Sequence, residues 1–174
     1  MTAKVTEALR DRYSTHAGNQ ENIVTQAREQ VGHWLAELGR NQGHSFVLDE
    51  EGQCFLQGED EVQLALQVPA QSDHCFLSAP LAPLPERDGE AILLQALTLN
   101  LFQAETRGAA IAADPSMGQF LLCYSLPVEG TTYPDFSNSL SNFAQLVAPL
   151  RAQLQAPEGS DPPADGIPTG AIRI

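Results

Sequence analysis

The chain has 174 residues, 43% of them apolar, and a formal net charge of −13. This length suits one domain, or one domain with a tail, and excludes two independent enzyme domains; the apolar fraction excludes wholesale disorder. Twenty-two acids stand against nine bases, among which Lys4 is the sole lysine, so DNA, RNA and anionic membrane surfaces are disfavoured as partners.

Residues 1–20 are polar without a clear period and read as a flexible lead-in or a frayed helix, with no secretory signal. Residues 21–155 carry the domain. From Asn22 to Leu38 the apolar residues Ile23, Val24, Ala27, Val31, Trp34, Leu35 and Leu38 share a stripe about 120° wide, which predicts an amphipathic helix stopped by Gly39. The period then changes to two. Phe46 to Gly52 reads as a strand running into a turn, Cys54 to Leu56 begins the return, and Val62, Leu64, Leu66 and Val68 alternate with polar or small residues until Pro69. His74 to Ser78 is a further strand, followed by a loop from Ala79 to Glu86 in which three prolines argue against regular structure.

A second helix is expected from Gly89 to Glu105. Its leucines go nearly all the way round, so one apolar face must meet more of its own chain or another subunit. Strands at Gly108–Ala113 and Gln119–Leu126 form a hairpin. A third, weakly capped helix runs from about Pro134 to Leu154, with Pro149 expected to kink it or end it early. Residues 156–174, rich in Pro and acid, read as a disordered tail. The expected class is α+β: an antiparallel twisted sheet of about five strands with three helices, in the order α-β-β-β-α-β-β-α.

Little in the chain points to chemistry. Cys54, Cys75 and Cys123 cannot all pair within one chain and read as reduced, inert thiols; His74 and Cys75 are adjacent, but neighbours on a strand point to opposite faces. His16, His33, His44 and His74 are scattered without metal-site spacing, and no phosphate-cradling or nucleophile-elbow motif occurs. No catalytic, cofactor or metal residue is expected. Between Asn41 and Glu86 there are eight acids and no Lys or Arg, which serves either solubility and edge protection or the steering of a basic or amphipathic partner.

The order and spacing of Phe46–Gly52, Val62–Pro69, Leu77–Leu81, Leu93–Phe102, Gly108–Gly118, Leu126-Pro127 and the Phe143 helix resemble the class I chaperones of bacterial type III secretion, the Tir chaperone family. The resemblance implies a cytoplasmic homodimer without ATPase activity or cofactor. It would hold the N-terminal region of one or more secreted effectors extended, soluble and ready for the secretion machinery. By the same analogy Ile23, Val31 and Leu35 on the first helix and Leu64, Leu66 and Phe76 on the strands are the candidate effector-binding residues. Leu93, Leu97 and Leu101 are the candidate dimer interface, on the helix whose apolar circumference one chain has difficulty covering. Two alternatives stand beside this reading: an α+β protein-interaction domain unconnected with secretion, and a small thiol enzyme using Cys75 or Cys123.

Overall fold

The computed structural model describes residues 26–58, 62–87, 89–101 and 104–155; the expectations for the lead-in, for Ile23 and Val24 and for the tail lie outside these. The elements are α1 (26–42), β1 (Gln53–Gln57), β2 (Gln63–Gln67), β3 (His74–Pro83), α2 (Glu90–Leu99), β4 (Ala110–Asp114), β5 (Gln119–Pro127) and α3 (Tyr133–Gln155). The five strands make one antiparallel sheet in the order β1-β2-β3-β5-β4. The α+β class and the element order are those expected.

α1 buries Ala27, Val31, Trp34, Leu35 and Leu38, the side chains that share one face at helical spacing. Gly39 does not stop it. The helix continues to residue 42, where Gly43 at φ +73° takes the left-handed turn and the His44 amide donates to the Gly39 carbonyl at 2.9 Å, a six-to-one closure of the last turn. α1 meets α3 where Trp34 stacks on Phe136, ring centroids 5.1 Å apart. It meets the sheet through Arg28, whose guanidinium donates to the carbonyls of Val68 (3.0 Å), Glu50 (3.3 Å) and Glu51 (3.0 Å). This ties the turn before β1 to the helix without using a carboxylate.

α3 is better capped than its sequence suggests. The Thr132 amide donates to Asp135 Oδ2 at 3.2 Å and the Asp135 amide to Thr132 Oγ1 at 3.4 Å, a reciprocal capping box. Nor does Pro149 end the helix. Phe136, Leu140, Phe143, Leu146, Val147, Leu150 and Leu154 are buried on both sides of it, while Pro149 and Gln145, whose carbonyl loses its donor, face solvent where water can replace the bond.

Three further departures have local causes. The expected strand at Phe46–Leu48 is irregular chain, joined to β1 by one backbone bond, from the Asp49 amide to the Gln53 carbonyl at 2.8 Å. β3 runs through the expected loop as far as Pro83. The last β3 residue paired with β2 is Ser78, and the Pro80 carbonyl accepts from Arg151 at 2.9 Å. Because a strand residue's N–H and C=O point to the same side, the missing Pro80 donor faces α3 and costs β5 no ladder bond. α2 ends at Leu99 because the next side chain is needed elsewhere. Asn100 Nδ2 donates to the Ile111 carbonyl at 3.0 Å, and Asn100 Oδ1 accepts from the Ile111 amide at 2.8 Å.

Candidate functional site

The strands alternate in burial, as a sheet covered on one face must. Cys54, Leu56, Leu64, Leu66, Cys75, Leu77, Phe120 and Leu122 point into the core under α1 and α3. The opposite face carries two cross-strand rows: Phe55, Ala65, Ser78, Cys123 and Ala110 in one, and Gln53, Gln67, Phe76 and Ser125 in the next. Neither row holds a charge. Phe55 is 71% exposed and Phe76 39%.

At the β1 end of the sheet a groove of about 470 Å³ opens between the end of α1, the β1–β2 hairpin and α3. Leu38, Leu56, Leu64 and Leu140 make its apolar floor, Gln42, Gln57 and Gln145 lie among its polar lining, and among the described residues no charged side chain lines it. Apolar burial with neutral hydrogen-bonding groups is the chemistry such a groove offers.

The expected effector-binding residues divide sharply. Val31, Leu35 and Leu66 are completely buried core residues, and Leu64, 3% exposed, is reached only as part of the groove floor. A partner cannot contact the first three without displacing the core. Phe76 alone of the described candidates stands on the open sheet face. Phe55, outside the expected set, stands on the same open face; the alternation Cys54-Phe55-Leu56 in the sequence points it away from the core, and the structure pairs it with Ala65.

α2 buries only Ala96, with Ile92 and Leu99 partly covered. Gln95 Nε2 donates to the Gln153 carbonyl of α3 at 2.8 Å, fixing one side of the helix. The other side presents Leu93, Leu94, Leu97 and Leu101, from 44% to 67% exposed, so the three leucines expected to meet a second subunit share one open apolar surface.

The three thiols are not primed as nucleophiles. Burial pushes the Cys75 thiol up to about 12 and raises Cys54 and Cys123 as well, away from the thiolate a nucleophile requires. His74 Nδ1 lies 2.8 Å from Asp73 Oδ1, and that bond holds the Asp73 carboxyl below its ordinary range. Among the described residues there is no cluster of three or more His, Cys, Asp or Glu able to hold a metal, and no helix is long and apolar enough to cross a membrane.

A family model, that of the Tir chaperone protein (CesT) family, matches residues 33–151. Three solved structures share the fold at low identity. The ExsC–ExsE complex matches at 24% identity and TM-score 0.63, over 76% of this chain and 97% of the other. The HopA1–SchA chaperone–effector complex matches at 19% and 0.57, over 75% and 98%. The heterodimeric ExoU–SpcU complex from the type III secretion system of Pseudomonas aeruginosa matches at 17% and 0.54, over 72% and 98%. No curated protein matches the sequence.

Proposed function

The chain belongs to the Tir chaperone protein (CesT) family, and on that premise we propose that it is a cytoplasmic, homodimeric chaperone that binds the N-terminal region of type III secreted effectors and keeps it extended and soluble without hydrolysing ATP. The observation that carries this reading is the apolar-floored groove, lined by no charged side chain among the described residues, beside an open sheet face with Phe55 and Phe76 exposed. An extended client lays alternate side chains into such a surface and is held by burial alone, at about 25 cal/mol per Å² removed from water, so no nucleotide site is needed. The chaperone–effector pairing in the HopA1–SchA structure supports the same assignment.

Phe55, Phe76 and the groove floor with Leu64 form the client surface in this reading, and Leu93, Leu97 and Leu101 pack against a second copy. The test is co-expression with the N-terminal regions of type III effectors encoded in the same genome. One or more should co-purify as a soluble complex containing two copies of this chain, and Phe55→Asp or Phe76→Asp should release it while the dimer persists. If no effector region is retained, or if both variants bind as well as the parent, the reading fails.

A further inference from the structure

The two flanks of α3 meet different surroundings. Leu140 and Gln145 line the apolar-floored groove on one flank. On the other, Ser139 and Asn142 line a smaller cavity of about 100 Å³, closed by Tyr124 of β5 and by Thr106 and Arg107 in the turn that leads into β4. Such a volume is about that of three waters, room for a small polar head but not for a ring system. Among the described residues no acid lines it, and Arg107 is its one charged group, in a chain of net charge −13.

The turn Thr106-Arg107-Gly108-Ala109 runs against the preferences of its sequence. The Ala109 amide donates to the Thr106 carbonyl at 2.9 Å, and Arg107 and Gly108 take φ of +49° and +88°, the paired positive values of a type I′ turn. Glycine suits the second position, but the first favours Gly, Asn or Asp, and Arg107 is the one non-glycine residue with positive φ among the described residues. Thr106 is wholly buried, and its Oγ1 has no hydrogen-bond partner among them. A covered, unpaired hydroxyl destabilises a fold. The neighbouring guanidinium is equally unengaged: Arg28 and Arg151 bind carbonyls, whereas the exposed Arg107 has no ion pair or hydrogen bond among the described residues.

We propose that this cavity binds a single carboxylate, gripped by the Arg107 guanidinium, with Thr106 Oγ1 and Asn142 Nδ2 donating to it. The planar guanidinium fork matches two carboxylate oxygens, and the neutral lining of Tyr124, Ser139 and Asn142 adds hydrogen-bonding capacity without a competing negative charge. Oγ1 is covered at rest, so it reaches the ligand by rotation about χ1, and the strained turn is the wall that gives way. A phosphate dianion is disfavoured, because one guanidinium balances one negative charge and the net charge of the chain repels the second. The carboxylate belongs either to a free small acid or to an aspartate or glutamate of a bound chain. The site does not depend on the chaperone reading.

The test uses the full chain, with propionate, inorganic phosphate and a blocked tripeptide of glutamate between two alanines, together with its glutamine copy. Each is titrated against chloride at constant ionic strength and neutral pH, and read by NMR at the Arg107 amide, the Asn142 side-chain amide and the Thr106 methyl. Propionate should shift all three and saturate with a Kd on the order of 1–10 mM; phosphate and the glutamine peptide should not. Arg107→Gln, on an exposed turn, should weaken propionate by about tenfold or more, and Arg107→Lys by less. Thr106→Val, of the same shape, should raise the melting temperature of the free protein by removing the unpaired hydroxyl, yet weaken propionate. A merely structural threonine would not give these opposite signs.

Shifts that never saturate, equal binding of phosphate or of the glutamine peptide, or propionate affinity unchanged in Arg107→Gln or in folded Thr106→Val would overturn the proposal. If Thr106→Val does not fold, the Arg107 variants decide it alone. Tighter binding of the glutamate peptide than of propionate assigns the carboxylate to a partner chain, and the reverse assigns it to a free small acid; either result supports the site.

Discussion

A carboxylate placed at Val31 and one placed at Leu97 should have opposite consequences, although both positions are apolar on amphipathic helices. Val31 is wholly buried, so Val31→Asp must bury an unpaired charge or lose the fold, at a cost of several kcal/mol in denaturant unfolding. Leu97 is 67% exposed in the single chain, so Leu97→Glu should leave the circular dichroism spectrum unchanged and convert a mass of two chains by light scattering into a mass of one. A parent protein that already runs as one chain would contradict the dimer. Periodicity marks which side of a helix is apolar but not what covers it; Val31 and Leu97 looked alike in one dimension for that reason, and a groove could not be told from a core.

The Cys75 thiol carries a second prediction at this scale. Its value is raised by desolvation to about 12 in the fold, so the neutral thiol is the form the fold favours. That contribution is fully present below the ordinary thiol value and is lost as pH rises through the folded one. Stability should therefore fall between about pH 9 and 12, and in Cys75→Ala this part of the alkaline decline, followed by thermal unfolding, should be shallower. An unchanged slope would show that the thiol does not ionise with unfolding.

Among the elements, α1, β2 and α3 were plain in the sequence because each shows one dominant period over a length that packing then reinforces. The errors arose where a local rule met a tertiary partner. Pro80 and Pro83 argued for a loop until Arg151 accounted for the outward side of β3, and Asn100 read as helix interior until its amide was needed at Ile111. Pro149 belongs here too: its lost bond is on the solvent side, and the buried residues on either side hold the helix together. Pro149→Ala should accordingly restore one helical bond and stabilise the fold by about 1–2 kcal/mol, the gain being partly offset by the freer unfolded chain. A denaturant midpoint that fell would show that the proline relieves a strain invisible in the packing. At the other end of α3 the Thr132 hydroxyl holds the Asp135 carboxyl below its ordinary range. Thr132→Ala should therefore lower the unfolding midpoint at neutral pH and matter less in acid, where the carboxylate is lost in both proteins.

For the molecule as a whole, the charge distribution predicts how a client's affinity responds to salt. Among the described residues the groove lining and the two outer rows of the sheet carry no charge, while the exposed Asp49, Glu50 and Glu51 lie in the turn before β1. Screening over about 8 Å at physiological ionic strength weakens the pull of that turn and leaves apolar burial intact. Effector affinity should then change by about tenfold or less between 0.05 and 0.5 M salt, measured by calorimetry. A loss of about a thousandfold would transfer the dominant role to the acidic turn.

The stack of Trp34 on Phe136 has a practical corollary. This is the chain's single tryptophan, and it is 3% exposed at the junction of α1 with α3. Its emission is therefore an unmodified optical gauge of that one junction, blind to events on the far side of the sheet. A client that merely settles on the outer surface leaves the spectrum where it was, whereas one that pries the first helix away from the last shifts it to the red, and the two modes of holding can be told apart in a cuvette without attaching a dye.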